Sequence, residues 1–269
     1  MGKIGFIGGG NMAEALIKGI IAAGVFRDSD ILVSDIRAER LEFIARTYGV
    51  ATFENNAELA REVEVLVLSV KPQNIKEVLD GIKQSVKPGI LVISIAAGIK
   101  VAKIAAALGD LAIVRVMPNT PALVGAGASA LYANKKARSA LEKAKSIFHA
   151  VGEVVVVEDE DLIDAVTAVS GSGPAYYFLL MEEMIKAGRN LGLSEEIAAR
   201  LVLQTAKGAA LLAIEAAKTG ESPAELRRKV TSPKGTTEAA LKVFAEGNFG
   251  QIVSDGIKRA RDRSIELSS

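Results

Sequence analysis

The sequence predicts an α/β domain over residues 1–160 followed by an all-α domain over residues 161–269, on three observations. The run Ile4-Gly5-Phe6-Ile7 ends in Gly8-Gly9-Gly10 and passes straight into helical spacing at Ala15, Leu16, Gly19 and Ile20. Residues 63–70 and 90–95 are nearly continuous apolar runs, the pattern of parallel strands buried on both faces. From Asp161 onward the β-branched runs cease and alanine-rich helical periodicity takes over.

The opening stretch is a strand, a tight turn and a helix. Gly8, Gly10 and Ala13 fit G-x-G-x-x-G/A, in which the first glycine makes the turn, the second admits a pyrophosphate and the third lets helix and strand pack closely. Phosphates would sit on the helix N-terminus, where unpaired N–H groups and the macrodipole favour negative charge. By itself this signal for a dinucleotide site is weak, since an ordinary glycine turn gives the same letters.

Residues 30–35 read as a second strand that ends at Asp35, with a helix through Glu39, Leu41, Ile44 and Ala45 after it. An acid at that point accepts hydrogen bonds from a ribose and favours NADH. Arg37 and Arg40 follow within reach of a 2′-phosphate, so both cofactors are expected to work, with NADH preferred. A helix N-cap is the plainer alternative for Asp35. Lys71-Pro72 follows the strand at 63–70, and Ala96-Ala97-Gly98 follows the one at 90–95; both are loops at strand carboxyl ends, where ligands bind in open parallel sheets. A fifth strand over residues 112–116 leads into Met117-Pro118-Asn119-Thr120-Pro121, an extended loop fixed by two prolines. Residues 154–157 make a further strand after a helical run over residues 137–150.

Beyond residue 160, five helices are expected at 174–190, 194–219, 222–230, 236–246 and 251–267, separated by glycine or serine and proline. The helix at 194–219 is apolar on more than one face, so it must be buried on more than one side. About a hundred residues of helix make little core of their own, and oligomerisation buries the remainder. Two loops here run into helices and offer hydroxyl and N–H groups: Ser170-Gly171-Ser172-Gly173-Pro174-Ala175-Tyr176 and Thr231-Ser232-Pro233-Lys234-Gly235-Thr236-Thr237. The second is suited to holding a carboxylate; simple helix capping is the alternative for each.

Composition narrows the function. With 24% charged residues and a net charge of +1, neither a nucleic-acid stripe nor an acidic tail is implied. Only 4% of residues are aromatic and none is tryptophan, which argues against base-stacking platforms. There is no cysteine, so disulfides, thiolate metal sites and cysteine nucleophiles are excluded. The single histidine, His149, lies in the helical run over residues 137–150 and reads as a surface or packing residue, which argues against a histidine metal site or a Ser-His-Asp triad. A start directly on a strand, and no apolar run of the length of a membrane span, give the expectation of a soluble cytoplasmic protein that binds neither membrane nor nucleic acid.

Taken together, six motifs in order resemble the pyrroline-5-carboxylate reductase family over essentially the whole chain. They are Gly5-Phe6-Ile7-Gly8-x-Gly10-Asn11-Met12-Ala13, Val70-Lys71-Pro72, Ser94-Ile95-Ala96-Ala97-Gly98, Met117-Pro118-Asn119-Thr120-Pro121, Ser170-Gly171-Ser172-Gly173-Pro174-Ala175-Tyr176 and Ser232-Pro233-x-Gly235-Thr236-Thr237. The resemblance implies a Rossmann-type domain, then an all-helical dimerisation domain, often in larger rings. It implies hydride transfer from NADPH or NADH to the cyclic imine of 1-pyrroline-5-carboxylate, giving L-proline. Cofactor contacts implied in this way are Gly8, Gly10, Asn11, Met12, Asp35, Arg37, Asn56, Ser69, Val70, Lys71, Pro72, Ala96, Ala97 and Gly98. Substrate contacts implied are Asn119, Glu160, Lys229, Ser232, Gly235, Thr236 and Thr237, and Thr167 matches a threonine proposed to assist proton transfer.

Two departures stand out. Lys234 occupies a position where many members have a second glycine, beside an unusually basic Arg227-Arg228-Lys229, and Asp35 replaces the small polar residue of members that prefer NADP. A protonated imine is already electrophilic, so the protein need supply mainly proximity and orientation, in keeping with a sequence that lacks an obvious nucleophile. A related hydroxyacid dehydrogenase would need a lysine acid near residues 170–176, where none stands. A non-catalytic dinucleotide sensor would have no use for the 232–237 loop.

Overall fold

A computed structural model describes residues 2–268. Contacts group these residues into two units, one of residues 2–174 with 259–268 and the other of residues 175–258.

The first unit is a sheet flanked by helices, β1 (Ile4–Ile7), α1 (Asn11–Ala22), β2 (Ile31–Ser34), α2 (Ala38–Tyr48), β3 (Ala51–Phe53), α3 (Asn56–Glu62), β4 (Val65–Leu68), α4 (Ile75–Ile82), β5 (Leu91–Ser94), α5 (Val101–Leu108), β6 (Ala112–Met117), β7 (Gly127–Ala133), α6 (Leu141–His149), β8 (Gly152–Val156) and α7 (Leu162–Val166). The strand order is β3-β2-β1-β4-β5-β6-β7-β8, parallel throughout except for the antiparallel pair β6–β7. Ile4 pairs with Ile31 on one side and with Val65 on the other, so the order reverses at β1 and a crevice opens past its carboxyl end.

The apolar runs alternate across this sheet. Ile4, Phe6, Val65, Val67, Leu91 and Ile93 face α1 and α6, whereas Ile7, Leu66, Leu68 and Val92 face α3, α4 and α5. Strands apolar at every position are required because both faces are covered, and each buried Ile, Leu or Val contributes roughly 1.5–3 kcal/mol. Two strands go beyond the sequence reading. β3 is only three residues long, and β7 is rich in small residues and runs against its neighbour.

The second unit holds the greater part of α8 (Gly173–Asn190), all of α9 (Glu195–Ala217), α10 (Pro223–Lys229) and α11 (Thr236–Glu246), and the first half of α12 (Phe249–Ser268). The five expected helices are present, with ends moved by one or two residues. Large apolar side chains lie exposed on α8 (Tyr177, Phe178, Leu179), α9 (Leu201, Leu211, Leu212, Ile214) and α11 (Val243, Phe244). α9 also qualifies the expectation of no span-length run: its eighteen-residue window has a mean hydropathy of 1.5, so length and composition alone would admit it to a membrane.

Residues 161–174 and 259–268 pack with the first unit. There Ser264 Oγ donates to buried Asp164 at 2.6 Å, a tie between groups one hundred positions apart. A five-residue π-turn, Thr167–Gly171, joins α7 to α8.

Candidate functional site

The first cluster of site residues lies where β1 and β4 end. Gly8 sits at φ +97°, a left-handed conformation that favours glycine, and its N–H donates to the Ser34 carbonyl at 2.7 Å. A Cβ placed there would come within 2.8 Å of the Ser69 carbonyl oxygen, so this turn has no room for a side chain. Ser69 locks the same turn by donating from Oγ to the carbonyls of Ile7 at 2.9 Å and Gly8 at 2.7 Å.

Gly10, the N-cap of α1, is the reverse case: a Cβ there meets nothing within 4 Å, and no side chain caps the helix. The N-terminus of α1 is therefore uncapped, with open space at Gly10. That is the arrangement a pyrophosphate fits, with the backbone close and the helix dipole aimed at the anion.

Asp35 is half of a clamp on this turn. Its side chain, 7% exposed, accepts the Gly9 N–H at 2.9 Å, the Arg37 N–H at 3.0 Å and the Arg37 guanidinium at 3.0 and 3.2 Å. It is not an N-cap, since that place belongs to Arg37. Burial pushes the Asp35 carboxyl up, but the hydrogen bonds from Arg37 and Gly9 outweigh burial and hold it below its ordinary value. Arg37 itself is 61% exposed.

Arg40 is placed differently from the sequence expectation of an arginine within reach of a 2′-phosphate. Its Nε donates to the Gly9 carbonyl and its Nη2 pairs with Glu14, which also accepts from Tyr48 Oη at 2.8 Å.

The remaining cofactor candidates are spread over the same sheet edge. Asn56 opens α3 and accepts from Ser34 Oγ at 2.7 Å. Val70, Lys71 and Pro72 follow β4, where Lys71 caps a short 3-10 turn. Ala96 is buried, Ala97 exposed, and Gly98 has φ +71° with the Leu267 carbonyl oxygen 3.1 Å from where its Cβ would stand.

Three residues expected at the substrate have partners inside the first unit. Glu160 Oε1 accepts from the Val101 N–H, at the start of α5, at 2.8 Å, and from Arg115 Nη1 at 3.1 Å; Arg115 is only 2% exposed. Asn119 accepts from the Ala128 N–H at 2.9 Å and donates to the Ser170 carbonyl at 3.2 Å, tying β7 to the π-turn. Thr167 opens that π-turn with Oγ1 donating to the Ile163 carbonyl at 2.7 Å. π-turns are frequent at functional sites. The partners of Glu160 and Asn119 lie nine to fifty-nine positions away, which hides them from a linear reading.

The second unit carries Lys229 and the 232–237 loop. Lys229 pairs with Glu221. Gly235 is the N-cap of α11 and no side chain caps that helix; Thr236 and Thr237 are its first two residues, Thr237 half-buried. Ser232 turns the loop by accepting the Gly235 N–H at 3.0 Å. Lys234, where a glycine was expected on resemblance, has φ +59°, and its N–H donates to Glu238 at 2.7 Å. No group of three or more metal-ligating side chains occurs among the described residues.

Residues 160–267 match the family described as pyrroline-5-carboxylate reductase dimerisation, and residues 3–98 match the family described as NADP oxidoreductase, coenzyme F420-dependent. The chain is 50% identical to a pyrroline-5-carboxylate reductase of Pseudomonas aeruginosa, covering 99% of this chain and 97% of that one. Against one from Synechocystis it is 45% identical, covering 98% of each. Among solved structures it is similar to a pyrroline-5-carboxylate reductase of Coxiella burnetii, with a TM-score of 0.93, 43% identity and coverage of 100% and 99%. It is also similar to a pyrroline carboxylate reductase of Plasmodium falciparum with NADP bound, with a TM-score of 0.88, 32% identity and coverage of 99% and 98%.

Proposed function

The chain belongs to the pyrroline-5-carboxylate reductase family, and from that premise we propose that it reduces the cyclic C=N bond of 1-pyrroline-5-carboxylate to give L-proline, the last step of proline biosynthesis. When bound, NADPH or NADH supplies the hydride. The observation that carries this reading is the open N-terminus of α1, with an uncapped helix and clear space over Gly10.

Gly8, Gly10, Asn11 and Met12 hold the pyrophosphate and Asp35 with Arg37 meets the adenosine ribose. Asn56, Ser69, Val70, Lys71, Pro72, Ala96, Ala97 and Gly98 line the rest of the cofactor site. The N–H groups of Thr236 and Thr237 together with the Thr237 hydroxyl, with Ser232 and Gly235 shaping the loop and Lys229 adding charge, hold the substrate carboxylate. Asn119 and Glu160 are assigned to the substrate on resemblance alone. Thr167 Oγ1 donates to Ile163, so its lone pairs are suited to accept an N–H of the protonated imine or of the product amine.

The helical part, residues 161–269 in this reading, assembles with copies of itself, as a dimer or a larger ring. The exposed apolar surfaces of α8, α9 and α11 support that assembly, burying upwards of ~2,000 Å² in total. The same need for cover accounts for the apolar character of α9, without membrane. The protein is placed in the cytoplasm and apart from nucleic acid.

The test is oxidation of NADPH and of NADH by the purified protein, with and without 1-pyrroline-5-carboxylate. Oxidation that depends on the imine is expected with both, and faster with NADH. Binding of nucleotide without turnover would leave only a sensor.

A further inference from the structure

The cofactor turn is held by two side chains from the segment after β2, Asp35 and Arg40, and of the two arginines there only Arg37 is largely exposed. Both backbone groups of Gly9 are taken: its N–H by Asp35 and its carbonyl by Arg40. Arg40 is 17% exposed and its guanidinium also pairs with Glu14 of α1, which Tyr48 of α2 holds from the other side at 2.8 Å. A trans peptide points its C=O and N–H in opposite directions, so fixing the Gly9 carbonyl toward Arg40 fixes the Gly10 N–H away from it. Gly10 is the residue with open space before it. Arg37 makes no such tie: it is 61% exposed, and among the described residues its guanidinium pairs with Asp35.

We infer that Arg40 is a positioning residue that orients the Gly9–Gly10 peptide for any dinucleotide, while Arg37 alone discriminates a 2′-phosphate. The inference rests on the reading of residues 8–13 as the dinucleotide turn. A hydrogen bond from a cation to a carbonyl, doubled by an ion pair across two helices, keeps that peptide in one orientation before the ligand arrives. A lysine carries the charge but lacks the fork that reaches both acceptors.

The experiment measures dissociation constants of NADH and NADPH for the unmodified protein and for Arg40→Lys, Arg40→Met and Arg37→Ala, with melting temperatures alongside. Both Arg40 variants are expected to weaken both nucleotides by the same factor, roughly tenfold, leaving their ratio and the imine KM unchanged. Arg37→Ala is expected to weaken NADPH alone. Selective loss of NADPH in the Arg40 variants, or equal loss of both in Arg37→Ala, would overturn the division of roles. A lower melting temperature with both constants unchanged would reduce Arg40 to a strut and overturn the inference as well. Should the Arg40 variants not fold, Glu14→Gln, which loosens the same guanidinium, is expected to weaken both nucleotides equally but less; unchanged binding there has the opposite meaning. If the unmodified protein binds neither nucleotide, the dinucleotide reading fails; if it binds both and the variants match it, only the inference fails.

Discussion

The amino ends of α1 and α11 are built alike and completed differently. Each begins at a glycine N-cap in extended conformation, Gly10 and Gly235, with no side chain satisfying the first N–H groups. Ahead of each lies a left-handed residue, Gly8 in one case and Lys234 in the other. At α1 a Cβ on Gly10 would meet nothing within 4 Å, whereas at α11 a Cβ on Gly235 would lie 3.0 Å from the Ser232 carbonyl oxygen and Glu238 already takes the Lys234 N–H. The lesson is one of capacity. An open end preceded by glycines admits a diphosphate, while a tightened end suits a smaller anion held by a few N–H and hydroxyl groups.

The comparison breaks most visibly at Gly10. Because a Cβ there meets nothing within 4 Å, Gly10→Val is expected to fold with its melting temperature lowered only by the loss of a favourable N-cap residue, yet bind NADPH and NADH at least about a hundredfold more weakly, on loss of several charge-assisted hydrogen bonds. Titration calorimetry with thermal melts checks both halves. Next, Thr237→Val at α11 is expected to lower kcat/KM for the imine by about ten- to a hundredfold, the worth of one charge-assisted hydrogen bond, with cofactor KM unchanged.

Asp35→Ser removes the carboxylate that Arg37 binds and is expected to raise the NADPH to NADH preference about tenfold, read from paired kcat/KM values. Lys234→Gly relieves the left-handed backbone, and a gain of about 1 kcal/mol in denaturant unfolding is expected, with kinetics close to the original. Smallest is a pH effect. Burial and the hydrogen bond to Glu14 push the Tyr48 hydroxyl up from 10.0 to about 12. The folded state thus favours the protonated phenol, and its stabilisation is complete below pH 10 and lost as the pH rises from there to about 12. Tyr48→Phe is expected to flatten the fall of melting temperature over that range.

Much of this was legible in the sequence because the informative signals are local. Continuous apolar runs marked the strands at 65–68 and 91–94, and glycine spacing marked the turn before α1. What escaped was non-local or weakly patterned. Gly127–Ala133 is a strand made mostly of small residues, whose pairing against β6 no run of letters announces. Arg40 looked like a phosphate ligand because its partners, Gly9 and Glu14, stand thirty-one and twenty-six positions earlier. Glu160 and Asn119 matched the motifs of a substrate site, yet their hydrogen bonds run to Val101, Arg115, Ala128 and Ser170. Lys234, in contrast, was marked by its motif as a departure, and its positive φ gives the reason a glycine is usual there.

The account turns on a division of labour between two helix ends, and crossing their variants tests it most directly. Steady-state KM values for NADPH and for 1-pyrroline-5-carboxylate would be measured in Gly10→Val, Thr237→Val and the unmodified protein. The account predicts that each variant raises one constant and spares the other, the cofactor constant for Gly10→Val and the imine constant for Thr237→Val. A variant that moves both constants together, or a destabilised Thr237→Val protein with unchanged imine kinetics, would contradict it.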